Sequence, residues 1–212
     1  MKIVVLELML LCLIAHESNA VSPLPRIKAR PGSPYAEFYN SETGKAFIPI
    51  GSSYVQLWGG YFHCNFVPGL YDANAAEIAL TKMQQSGYTL VRIWCYYGNP
   101  TLRGQKPPFY SIEGPYETNG PELYQPYLNN LLDFLIRANK HGIYVQLAID
   151  RTPDNTYYNN LVNTGYWDSV TGQANREYMV AGAITAKQIY IRQLMQAIID
   201  RDPNLLSTIF WL

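Results

Sequence analysis

Arg92 and Trp94 stand two residues apart in the apolar run Leu90-Val-Arg-Ile-Trp94. In a strand, positions i and i+2 share a face, so a guanidinium and an indole would be presented together. An arginine near the end of a buried strand is costly unless it meets an anion, and a structural salt bridge would satisfy it as well as a functional one. Trp94 offers a flat apolar surface, either for a ligand with apolar ring faces or as filling between elements. Asp150 closes the second apolar run, Ile143-Tyr-Val-Gln-Leu-Ala-Ile149, and could accept from ligand hydroxyls or pair with Arg151. Tyr54, Trp58 and Tyr61 follow a third run and extend the aromatic surface, with local packing as the plain alternative. Asp150 and Asp154 have the look of a carboxylate pair, but both lie on one loop beside one strand. That disfavours the opposed placement needed to flank a scissile bond.

Other chemistries find little support. His63 and Cys64 are adjacent, Cys95 is distant, and His141 falls at a helix terminus, so no spacing suits a metal and none is expected. The chain has no G-x-G-x-x-G and no P-loop, and no cofactor is expected. Lys2, the mostly apolar stretch from Ile3 to Ala15 and the small-residue site Ser18-Asn19-Ala20 read as a secretory signal peptide, residues 1–20, cut after Ala20. Its loss leaves 15 basic and 14 acidic side chains with no basic patch, so nucleic acid and membrane are poor partners. Cys12 departs with the signal. Cys64 and Cys95 could join in an oxidising compartment, yet two cysteines are not a disulfide framework. The 18 tyrosines suit ligands that combine apolar faces with hydroxyls, sugars among them, and suit a Tyr-rich core equally.

The elements that must position these residues alternate. Residues 21–34 read as an extended, Pro-containing lead-in without periodicity. Tyr35–Tyr39, the turn Asn40–Gly44 and Lys45–Ile50 read as a hairpin feeding a buried strand that Gly51–Tyr54 ends. Asn74 with Glu77 three residues on predicts a capping box for a helix stopped by Gly87. The run 90–94 is the second strand. A helix follows from about Tyr124 to His141 with a leucine stripe at 128, 131, 132 and 135, then the third strand. A third helix presents Ile184, Ile191, Leu194, Met195 and Ile198 and delivers a fourth strand, Ser207-Thr-Ile-Phe-Trp-Leu212. A strand that apolar expects a parallel neighbour on each side, and the order reads as a repeating β/α protein that stops after about its fourth strand. Alternation means parallel strands with covering helices; an open doubly wound sheet and a β/α barrel both fit. The long loops Tyr96–Leu123 and Asp150 to about Gln173 lie after strands, at the face where barrels carry their sites. A barrel predicts a parallel sheet in sequential order, strands near 47–51, 89–95, 143–149 and 207–212, and helices on one side.

Four segments resemble the retaining β/α-barrel glycoside hydrolases of the cellulase- and mannanase-type clan. Lys45-Ala-Phe-Ile-Pro-Ile-Gly-Ser-Ser-Tyr54 is similar to their first strand. Lys82-Met-Gln-Gln-Ser-Gly-Tyr-Thr-Leu-Val-Arg-Ile-Trp94 is similar to their second helix-to-strand passage, and His141-Gly-Ile-Tyr-Val-Gln-Leu-Ala-Ile-Asp150 to their third strand. Arg201-Asp-Pro-Asn-Leu-Leu-Ser-Thr-Ile-Phe-Trp-Leu212 is similar to their approach to strand four. The resemblance implies an α/β fold of TIM-barrel type, residues 35–212 forming the N-terminal part of a (β/α)8 catalytic domain. It also implies a secreted enzyme that cleaves O-glycosidic bonds of a carbohydrate substrate with two carboxyl groups, both beyond Leu212. Arg92 would then hydrogen-bond the absent nucleophile and hold it ionised. Tyr54, Trp58, Tyr61, Trp94 and Asp150 would line the substrate cleft; Asp150 stands where many members carry a histidine. The competing function is a barrel of the same shape that binds glycans without cleaving them.

Overall fold

The structure, a computed structural model, describes residues 20–32, 37–55, 65–95, 116–117, 120–149, 155–162 and 181–211. The predicted signal peptide lies outside them up to residue 19, as does most of the loop after residue 95. Among these residues seven strands form two sheets. β1 (Ile27–Ala29), β2 (Phe38–Asn40) and β3 (Ala46–Phe47) make an antiparallel ribbon. β4 (Gly51–Ser53), β5 (Leu90–Cys95), β6 (Tyr144–Ile149) and β7 (Ile209–Trp211) make a parallel sheet in sequential order. Between the parallel strands come α1 (Ala73–Gln85), α2 (Gln125–Lys140), α3 (Thr156–Val162) and α4 (Ala181–Arg201), then a 3-10 turn, Pro203–Thr208.

Alternation within the strands decides the layering. Val91, Ile93 and Cys95 of β5 and Val145 and Leu147 of β6 are fully buried. They share one cluster with Ala76 and Leu80 of α1, Leu131 and Leu135 of α2, and Leu194 and Ile198 of α4. All three crossover helices therefore cover the same face. A doubly wound sheet needs helices on both faces and a reversal of strand order; neither occurs among the described residues, and the arrangement is that of part of a β/α barrel.

Several local expectations shift. The lead-in is not featureless: its Ile27–Ala29 pairs antiparallel with Phe38–Asn40, because the prolines flank the pairing residues rather than interrupt them. The first parallel strand is Gly51–Ser53 rather than Lys45–Ile50, and Ile48 and Ile50 are 69% and 51% exposed. Thr89 explains the offset, since its hydroxyl accepts from Ile50 N at 3.0 Å and donates to Ile48 O at 3.1 Å, bracing that segment before the ladder begins. A side chain at Gly51 would collide with the Leu90 carbonyl, so the pairing Gly51–Leu90 needs the glycine. Asp72, not Asn74, caps α1, its Oδ1 accepting from Asn74 N at 2.8 Å and Ala75 N at 3.0 Å. α4 buries Ala183, Ala186, Tyr190, Leu194 and Ile198; Ile184 and Ile191 stay partly exposed, because the small alanines let the helix approach closely along their side. Ser207 and Thr208 belong to the 3-10 turn, where Thr208 Oγ1 accepts from Asn139 Nδ2 at 2.9 Å, and the fourth strand starts at Ile209. The loop after Asp150 contains α3, anchored by Asn155, whose Oδ1 accepts from Tyr158 N and whose Nδ2 donates to Glu117 O and Gly120 O.

Candidate functional site

The face of the sheet away from the helices carries Leu90, Arg92 and Trp94 from β5 and Tyr144, Gln146 and Ala148 from β6. Arg92 pairs with Ser53 on one side and Gln146 on the other, and Trp94 with Ala148. The two-residue period brings Arg92 and Trp94 together as the spacing requires: the guanidinium carbon lies 3.9 Å from the indole centroid. Such a stack is worth about 0.5–2 kcal/mol, more when water is excluded. It also fixes a long side chain in one direction.

Arg92 has no carboxylate partner among the described residues. Its Nε is buried and makes no hydrogen bond among them. Leaving such a donor unmade costs about 1–3 kcal/mol. Beside it Gly51, Ser52, Ser53, Leu90 and Gln146 line an open depression of about 350 Å³. Gln146 was not singled out from the sequence, although a lone amide within the run Ile143–Ile149 was its signal. No Asp or Glu lies on this face in the described strands. The patch can therefore stack an apolar ring face, donate to oxygen atoms and hold an anion, but it contains no group to move a proton.

The lower end of the same face is closed. Phe47 of the ribbon meets Tyr144 at 5.2 Å and Phe210 at 5.7 Å between ring centroids, and Phe38 meets Phe210 at 5.3 Å. Tyr144 donates to Pro25 O at 2.5 Å. The ribbon thus forms an aromatic floor at the start of the strands and leaves Arg92 and Trp94 to open toward their C-terminal ends.

Tyr54 does not join them. Its ring lies 4.9 Å from Phe134 of α2, on the helix side of the sheet, and burial, then Asp72, push its hydroxyl above the ordinary value. The Gly-Ser-Ser strand before it has no apolar alternation from which its side could be read. Trp58, Tyr61, Asp150 and Asp154 lie outside the described residues. Cys95 faces the helices, fully buried, its thiol pushed far up by burial. Cys64 falls outside the described residues, and with it the bond that the two cysteines could form. Some of the tyrosines are core: Tyr116, Tyr127, Tyr158 and Tyr190 are fully buried. Tyr158, Tyr190, Ala183 and Ala186 form a second cluster, and the Tyr158 hydroxyl donates to Gln193 Oε1 at 3.0 Å.

His141 is structural. Its Nε2 lies 2.7 Å from Glu77 Oε1 and its Nδ1 3.0 Å from Gln84 Oε1, while Arg137 bridges Glu77 and Asp133, each at 2.8 Å. This network joins α1 to α2. Among the described residues no three His, Cys, Asp or Glu side chains converge to hold a metal, and no helix is long and apolar enough to cross a membrane.

No protein-family model matches the chain, and no curated protein matches it by sequence. Solved structures do match by shape. The chain is similar to a glycoside hydrolase family 5 mannosidase from Rhizomucor miehei, with TM-score 0.54 and 15% identity over 81% of this chain and 42% of that one. A point mutant of that enzyme gives 0.51 and 14% over 80% and 42%. The chain thus spans about two fifths of the length of these structures, and its fold is similar to that part of them.

Proposed function

We propose that this chain supplies one wall of a secreted glycoside hydrolase that cleaves O-glycosidic bonds in an oligosaccharide or polysaccharide with retention. The observation that carries the reading is Arg92: a guanidinium stacked on Trp94 toward the C-terminal end of its strand, with a buried Nε that meets no acceptor among the described residues. Retaining hydrolysis uses two carboxyl groups roughly 5–5.5 Å apart, one protonating the leaving oxygen and the other attacking the sugar. A carboxylate brought to Arg92 from elsewhere in a whole barrel would be held ionised and aimed, as a nucleophile must be. Trp94 would offer its indole to an apolar sugar face. Both carboxylates lie outside the strands described, so Arg92 acts through one of them and is a positioning residue.

The test uses the whole barrel. Aryl mannosides are the first substrates, because the similar structures are described as mannosidases. Arg92→Met is expected to lower kcat by about 10²–10³-fold, the scale for losing a preorganised donor, with a smaller change in KM. It should also move the acidic limb of the pH profile upward, which a purely structural role would not do. Residues 21–212 alone should hydrolyse nothing; turnover abolished by Asp150→Asn would overturn the reading. The second reading is a barrel that binds glycans without cleaving them, and the acid-free face around Arg92 favours it. Sugar binding by an intact barrel without turnover would select it.

A further inference from the structure

We propose that removal of the leader after Ala20 creates a buried ion pair between the new α-ammonium of Val21 and the carboxylate of Asp202. This inference is independent of the glycosidase reading. Val21 is 6% exposed and belongs to the main apolar cluster, whereas Ala20 is exposed. Val21 N donates to Asp202 Oδ2 at 2.7 Å. That distance is the length of a charge-assisted N–H···O⁻ bond. Val21 O accepts from Asn204 Nδ2 at 2.9 Å, and Leu24 N donates to Ser207 Oγ at 2.8 Å, so the first residues after Ala20 are strapped to the 3-10 turn.

Asp202 supplies the second, independent observation. It is 8% exposed, and its other oxygen accepts from Asn204 N at 2.9 Å. No Lys, Arg or His pairs with it among the described residues. Lys140 lines the neighbouring recess with Ala20, Val21 and Leu24 and forms no ion pair among the described residues. Two backbone amides alone are a thin environment for a buried carboxylate, which ordinarily comes with a cation. The missing cation is the one that cleavage at the small-residue site Ser18-Asn19-Ala20 would generate. A leader peptidase adds water across the Ala20–Val21 bond: hydroxyl goes to the Ala20 carbonyl carbon, hydrogen to the Val21 nitrogen, and the amine takes a proton from solvent. The resulting ammonium sits where the amide now donates.

The chain expressed with its leader in a secreting host should yield a product whose mass and N-terminal sequence begin at Val21. That product is then compared with a chain that keeps Asn19 and Ala20, by trypsin cutting after Arg26. Native Val21 should slow cutting at least about tenfold, the worth of one hydrogen bond to a charged group. Asp202→Asn should erase the difference. The extended chain carries no substitution, so the first comparison stands even where D202N fails to fold. A mature start at any other residue, equal rates with and without the extension, or a difference that survives D202N in a folded chain would overturn the proposal.

Discussion

A guanidinium stacked on an indole, with a buried Nε that meets no acceptor among the described residues, is an expensive arrangement for Arg92. Its stability consequence is testable in residues 21–212 without any substrate. Replacing an unpaired, half-buried charge by an apolar side chain of similar length removes an unmet donor worth about 1–3 kcal/mol and forfeits a stack worth about 0.5–2 kcal/mol. Arg92→Met should therefore leave the urea midpoint unchanged or raise it, whereas an arginine in a structural salt bridge would lower it. Ile93→Ala, one residue on and facing the helices, should cost about 2–5 kcal/mol by the same measurement. Arg92 and Trp94 were legible in the sequence because a charge and an indole stand out in an apolar run, and the two-residue period then fixes their common face. The side taken by Tyr54 was not legible, since Gly51, Ser52 and Ser53 carry no pattern, and packing against Phe134 decides it.

The helices are held to one another as well as to the sheet. Glu77 is held below the usual carboxylate range by its hydrogen bonds to His141 and Arg137. For Asp133 burial pushes upward, but Arg137 and Tyr71 outweigh it and the net shift is downward. Both groups titrate lower when folded than unfolded. Their contribution is present in full above the unfolded values, near pH 4, and is lost as pH falls through the folded ones. Melting temperature should drop between about pH 4 and pH 2, and Arg137→Met should flatten that slope; an unchanged slope would remove the network from the account. At the start of α1, Asp72→Ala should destabilise by about 0.5–2 kcal/mol and Asn74→Ala by much less, measured by thermal denaturation. Both residues lie in the stretch Tyr71-Asp-Ala-Asn74, and either type can cap, so the sequence located the helix start only to within two residues. The existence of the helices and the parallel strands followed from apolar periodicity and glycine stops, and the sequential strand order from the barrel alternative of the two architectures that this alternation allows. The ribbon's first strand and α3 did not, because three-residue and seven-residue elements amid polar residues and prolines carry almost no periodic signal.

At the scale of the molecule, β4 and β7 are the outer strands of the parallel sheet among the described residues, and the exposed Ile48, Ile50 and Val55 flank β4. Unpaired strand edges beside apolar side chains invite association. Sedimentation of residues 21–212 should show concentration-dependent self-association, and a lysine at Ile48 or Ile50 should reduce it; a sharp, monomeric, concentration-independent melt would show that the edges are protected. The arrangement of helices on one face was implicit in three successive right-handed crossovers. The aromatic floor was not, because Phe38, Phe47, Tyr144 and Phe210 come from distant parts of the chain and no local pattern links them. The strap at Val21 spans still further, 181 residues to Asp202, and Leu24 reaches across 183 to Ser207. At about 5–20 residues per second, a ribosome needs roughly 10–40 s to make the turn that the arm binds. Throughout that interval the earliest residues of the arm have no docking partner. The arm, made early, is thus bound to be among the last segments to settle, and whatever shields Val21 and Leu24 in the meantime must release them once Asp202 and Ser207 emerge.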